Sequence, residues 1–243
     1  MENDDTPSAL RVLTAGATRE GLAACAGPFR ALTGVAVEAA TTHGHLILER
    51  LLAGEGGTDV VLLPKHMVDK LIGDRLVQPE ASVVLGSIGV GAAVRVGEEV
   101  PDVSSMTALV RALFSATAIL ITEAPSGVHM DRLIDGLGLA DVLEPRIERF
   151  DTGTMVNERL LAGSEPGEIA FGVATEILFF RDRGIAYAGP LAEEAQMRHV
   201  YMAAIMAGSP KTGAARALLD YLVSEQARVA FAATGVDQGE PDR

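Results

Sequence analysis

A chain of 243 residues has room for one large domain or for two units of about 100–130 residues each. Its 48% hydrophobic content excludes a disordered or linker-dominated chain, and a formal net charge of −13 with no basic stripe sets nucleic-acid binding aside. With no Trp and 4% aromatics, the apolar stock is aliphatic, the kind that buried parallel strands and packed helices use.

The predicted elements alternate from the start. Residues 10–13 read as a strand, followed by a small-residue loop and a helix over about 20–32 that Thr33-Gly34 stops. The free Cys25 is expected to be buried in that helix, and one cysteine allows no internal disulfide. A strand at 35–39, a helix at 46–53, a strand at 59–63 and a helix at 67–72 complete a βαβαβ run, which predicts a parallel sheet with right-handed crossovers. Residues 86–96 read as a longer strand that Pro101 and Asp102 end, with Ser104 or Ser105 capping a helix at 107–115. A second βα series follows: strand 118–121, helix 128–136, strand 147–150, helix 154–162 and strand 169–173. A short strand at 185–188, a long apolar run at 200–207 and helices at 214–223 and 225–233 close the chain, with a polar, frayed tail from Asp237. Two long apolar strands thus bracket a middle series. The expectation is one lobe from residues 1–86 and 201–243, a second from 87–200, and hinges near 86–91 and 190–201.

Apolar runs such as 60–63 and 88–94 fall far short of the roughly 20 residues a bilayer requires, so no membrane insertion is expected. The start, MENDDTPSAL, lacks the cationic and apolar regions of a signal peptide. As written the chain is expected in the cytoplasm, and in the periplasm or outside the cell where a leader has been removed.

Five segments in order carry a resemblance to a known family: LRVLTAGATREGL, TTHGHLILERLLAGEGGTDVVLLP, APSGVHMDRLIDGLGLADVL, RLLAGSEPGEIAFGVATEIL, and GPLAEEAQ with VYMAAIMAGSPKTGAARALLDYLVS. Together they resemble the type 2 periplasmic solute-binding proteins, in particular the molybdate-binding-protein-like group. The resemblance implies an α/β, two-lobed fold, each lobe a mostly parallel sheet flanked by helices, closing on a small anion. It implies an ABC permease as partner for an exported form, and a related branch of the fold is similar to aconitate isomerase. The chain departs from the group where a first-loop Ser gives way to Ala17-Thr18, where a serine-rich second loop becomes Thr41-Thr42-His43-Gly44-His45, and where a cleft tyrosine gives way to Val173 or Ala174. These departures argue against molybdate or sulfate as ligand.

In parallel α/β sheets, ligands sit beyond the carboxyl ends of strands, at helix N-termini whose free N–H groups and dipole favour anions. Three turns qualify: Gly16, Ala17, Thr18 and Arg19 after the first strand; Thr42, His43, Gly44 and His45 after the second; and Ser126, Gly127, Val128 and His129 after the strand at 118–121. Their glycines let backbone approach a ligand, the hydroxyls of Thr18, Thr42 and Ser126 can donate, and Arg19 can pair with a carboxylate. Each turn alone also reads as an ordinary cap. Thr154 and Thr175 add hydroxyls at later strand ends. Glu176 falls where the family lines its cleft, either as a base with a raised pKa or as the cap of the next helix.

Four of the five histidines (His43, His45, His66, His129) lie in strand-to-helix turns, where imidazoles can donate to a carboxylate or move a proton. His43 and His45 lack a third ligand, so no metal is expected, and no cofactor. The leading expectation is binding of a small carboxylate or oxyanion by a monomer or weak dimer. The alternative is a cofactor-free isomerase or lyase acting on a small polycarboxylate, with His43, His45, His129 or Glu176 as base.

Overall fold

The computed structural model describes residues 9–239; residues 1–8 and 240–243, with most of the acidic start and the end of the polar tail, lie outside the described residues. In chain order the first elements are β1 (Leu10–Ala15), α1 (Arg19–Thr33), β2 (Val37–Thr42), α2 (Gly44–Leu52), β3 (Val60–Pro64), α3 (Lys65–Gly73) and β4 (Val77–Arg95). Next come α4 (Met106–Ser115), β5 (Ala118–Thr122), α5 (Pro125–Gly136), α6 (Ala140–Leu143), β6 (Ile147–Phe150), α7 (Gly153–Ala162) and β7 (Glu168–Val173). The chain ends with α8 (Ala174–Phe179), β8 (Ile185–Pro190), β9 (Arg198–Met206), α9 (Thr212–Leu222) and α10 (Glu225–Ala233). It divides into two compact units: Met1–Ser87 with His199–Arg243, and Ile88–Arg198.

In the discontinuous unit, β1 lies between β2 and β3, parallel to both, with Val12 aligned to Ala39 and to Val60. Strand β9 runs antiparallel on the other side of β3, Val60 opposite Ile205. The continuous apolar run of β3 fits this central place: Val60, Val61, Leu62 and Leu63 are all fully buried. Burial of this kind contributes about 1.5–3 kcal/mol per side chain. Strand β2 starts two residues later than the sequence suggests and extends through Thr41 and Thr42; its side chains are mostly exposed, so no apolar alternation announces it. Helix α1 packs on α9 and α10. The ring of Phe231 occupies the space a side chain on Gly21 would need, and Phe29 meets Tyr221 at 5.6 Å between ring centroids. Cys25 is buried in α1, and that burial pushes its thiol pKa up to about 11. Gly34 closes the helix in the left-handed region, φ 76°, with its N–H donating to the Arg30 carbonyl at 2.8 Å.

Asp59, at the entry to β3, is a buried tie in this unit. It accepts from the Arg11 N–H at 2.9 Å, Ser209 Oγ at 2.6 Å and Lys211 Nζ at 3.2 Å. The polar tail begins later than expected, because Asp237 exchanges two backbone hydrogen bonds with Ser87, at 2.7 and 2.8 Å.

In the contiguous unit, β5 lies between β6 and β7, parallel to both, and β4 pairs antiparallel with β7 on one side and β8 on the other. Period-two alternation sorts the side chains into two apolar layers. Val90, Ala92, Val94, Ile119, Ile121, Ile169 and Phe171 form one, with Leu109, Leu113, Met130 and Ile134 from helices. Ala93, Leu120 and Ala170 point into the other, against Val156, Leu160 and Ile177. Buried Glu168 ties strand to helix: Arg95 and Arg159 both pair with it, Arg159 at 3.0 Å. Strand β4 begins nine residues earlier than its apolar pattern, because Gln78, Pro79, Glu80 and Ser82 precede that pattern. Helix α5 begins at Pro125, three residues earlier than expected, with proline in its first turn, where no N–H is needed.

Candidate functional site

The parallel strands of each sheet end at one edge, and the turns singled out in the sequence lie there. In the discontinuous unit, Ala15 is in register with Thr42 and Thr14 with Leu62, so β1, β2 and β3 hand over to their helices side by side. His43 caps the start of α2 in extended conformation, and its ring lies 5.6 Å from that of His45, both exposed. Antiparallel β9 brings its beginning to the same edge, because Pro64 faces Tyr201. His66, in the first turn of α3, and His199, on β9, consequently meet at 6.1 Å. Four of the chain's five histidines therefore share one sheet edge. His199 was outside sequence reasoning, since its place depends on a pairing between segments some 140 residues apart.

Thr18 is turned inward. Fully buried, its hydroxyl donates to the Ala15 carbonyl at 3.2 Å and meets Thr14 Oγ1 at 2.8 Å, closing a 3-10 turn formed by Gly16, Ala17 and Thr18. Arg19 carries a charge at the edge, but its Nε pairs with Glu20 at 2.7 Å, and Lys65 pairs with Asp69 at 2.8 Å. Thr42 is half-buried. Gly44 packs beside Met67 and Leu63.

In the contiguous unit, Thr122 is in register with Phe150, and Leu120 with Ala170, so β5, β6 and β7 also end together, before α5, α7 and α8. Ser126 is buried and Val128 exposed. Gly127 allows close approach, but to the backbone of Thr122, whose carbonyl oxygen a Cβ would overlap. His129 Nε2 donates to the Ala195 carbonyl at 2.7 Å, which anchors the ring and leaves Nδ1 as its remaining nitrogen. Thr154 is exposed in the first turn of α7. Thr175 is buried, and Glu176 sits in the first turn of α8 with its carboxyl group against Gly153 of α7, so it approaches a helix other than its own. Among the described residues, no group of three or more His, Cys, Asp or Glu is arranged to hold a metal, and no helix is long and apolar enough to cross a membrane.

Comparison with known proteins identifies the family and the fold. The family model described as bacterial extracellular solute-binding protein matches residues 10–237. An aconitate isomerase from Pseudomonas sp is 28% identical over 237 residues, covering 93% of this chain and 87% of the relative. The Azotobacter vinelandii periplasmic molybdate-binding protein has a similar structure, with a TM-score of 0.72, 19% identity, and coverage of 96% of this chain and 100% of that one. The sulfate-binding protein SubI of Mycobacterium tuberculosis H37Rv gives a TM-score of 0.74 at 15% identity, over 97% of this chain and 88% of that one.

Proposed function

We propose, starting from a chain that belongs to the bacterial extracellular solute-binding proteins, that it binds a small carboxylate-bearing anion at its strand-to-helix turns. The observation that carries this reading is the edge of the discontinuous unit, where His43, His45, His66 and His199 collect beside helix starts. Arg19 and Lys65 pair with neighbouring carboxylates there, and imidazole and backbone N–H groups stand beside these two cations as donors for a ligand. Such donors match the planar oxygens of a carboxylate, and delivery to an ABC permease belongs to the same reading for an exported form.

The similarity to an aconitate isomerase supports a second reading, proton transfer on a small polycarboxylate. In that case the candidate bases are His43, His45, Glu176 and His129, the last through Nδ1, since its Nε2 donates to the Ala195 carbonyl.

Calorimetry with citrate tests the first reading. Binding is expected, and His43→Gln or His45→Gln should weaken it by about 1.5–3 kcal/mol per lost charge-assisted hydrogen bond. No binding of any di- or tricarboxylate by the unaltered chain would overturn it. Nuclear magnetic resonance of cis- and trans-aconitate mixed with the protein decides the second. Interconversion that falls about 10²–10⁴-fold in one histidine variant supports proton transfer, and no interconversion excludes aconitate as its substrate.

A further inference from the structure

The first turn of α7 already holds a carboxyl group of its own unit. A Cβ on Gly153 would overlap Glu176 Oε2 and lie 2.9 Å from its Cδ, so the missing side chain at residue 153 is what admits Glu176 to this helix end. Thr152, the N-cap, accepts the Met155 N–H on Oγ1 at 3.1 Å and the Val156 N–H on its carbonyl at 3.1 Å. The N–H groups of Gly153 and Thr154 precede these and have no intrahelical acceptor; with the positive end of the helix dipole they favour an anion.

Two further buried polar atoms belong to residues of the same two helices, α7 and α8. Asn157 is 2% exposed and donates from Nδ2 to the Gly153 carbonyl at 2.8 Å, which holds its amide at the first turn while its Oδ1 has no hydrogen-bond partner. Thr175, 4% exposed and adjacent to Glu176, has an equally unpartnered Oγ1. Buried polar atoms in native structures are nearly always paired, so orphans beside a helix start indicate where an incoming group's hydrogen bonds belong. Asn157 Oδ1 accepts only, and a carboxylate accepts only. A group that meets Asn157 Oδ1 and the Glu176 carboxyl group must therefore bring the donor itself.

We propose that Glu176 determines ligand specificity: it fills the α7 N-terminus from within, rejects a fully ionised oxyanion there, and selects a carboxylic acid that presents a hydroxyl or protonated carboxyl group to it. The proposal rests on the reading that the chain binds a small anion, and narrows that anion to a hydroxy acid or a partly protonated polycarboxylic acid. A second full anion at the helix end would face the Glu176 carboxylate at contact distance, and like charges so placed disfavour each other strongly.

The test uses two variants that take the negative charge away from the helix end by different routes. Glu176→Gln keeps the shape and removes the charge. Gly153→Ala keeps the charge and displaces the carboxyl group, because the atom in the way is the tip of a flexible side chain. Sulfate binding is measured by calorimetry in chloride-free buffer, with circular dichroism to show that each variant is folded. A gain in sulfate affinity of at least about tenfold over the unaltered chain is expected in both. Unchanged or weaker sulfate binding in the folded variants would overturn the proposal; if one of them fails to fold, the other decides. Citrate binding by the unaltered chain, read in the same series, reports on the carboxylate reading alone, so the two can fail separately.

Discussion

A methyl group on Gly127 has nowhere to go. Its Cβ would overlap the Thr122 carbonyl oxygen and lie 2.6 Å from the carbon that bears it, and backbone at the end of a buried strand cannot turn aside as a side chain can. Gly127→Ala is therefore expected to lower stability by about 1–3 kcal/mol, as overpacking does. Gly136, at the other end of α5, has open space where its Cβ would be. Gly136→Ala should be neutral or stabilising by up to about 1 kcal/mol. Urea midpoints of the two variants check the pair, and similar midpoints would refute the packing argument. Thr18 shows the same limit on reading single residues. Its hydroxyl looks available in the sequence, but a partner four residues back in β1, Thr14, takes it inside.

At the scale of elements, one side chain serves as a piece of strand. Gln196 Oε1 accepts from the N–H groups of Val90 at 2.7 Å and Met197 at 3.0 Å, while its Nε2 donates to the Val90 carbonyl at 3.0 Å. Gly89 leaves room for it, with a would-be Cβ 3.0 Å from Gln196 Oε1. Val90 also accepts from the Leu191 N–H and donates to the Met197 carbonyl, so Gln196→Leu should cost only about 1–2 kcal/mol. Hydrogen exchange at the Val90 and Met197 amides should quicken in that variant, and unchanged rates would show that the amide side chain is dispensable.

The alternation of strands and helices was legible because buried strands and helix stops leave local marks, such as the apolar run of β3 and Gly34 after α1. The short helix α6, four residues long, left none. The candidate turns were legible for the same local reason. The meeting of His66 with His199, and of Glu176 with Gly153, was not, since each joins segments that only tertiary packing brings together.

On the scale of the whole molecule, each unit keeps one buried carboxylate in a web of donors. For Asp59, burial raises the pKa, but the bonds from Ser209, Arg11 and Lys211 outweigh it and hold the group below its ordinary 3.8. For Glu168, burial again opposes, and Arg95 and Arg159 hold the group below its ordinary 4.5. A folded-state pKa below the unfolded one contributes stability that is complete above the unfolded value and is lost as pH falls through the folded value. Both units should thus lose stability on acidification below about pH 4, and Glu168→Gln should remove part of that dependence. Urea titrations at pH 7 and pH 3 check this, and an unchanged pH slope in the variant would count against the role of Glu168.

The division of the chain also sets an order of completion. The unit formed by Ile88–Arg198 is one uninterrupted stretch, whereas the other needs β9, α9 and α10 from the far end to cover β3 and α1. As synthesis proceeds, the segment made first must wait with an open sheet edge, while the segment made second has all its own parts at hand. Exposed strand edges are where chains pair wrongly, so the interval between the emergence of β3 and of β9 is when a nascent chain of this protein has most need of a chaperone.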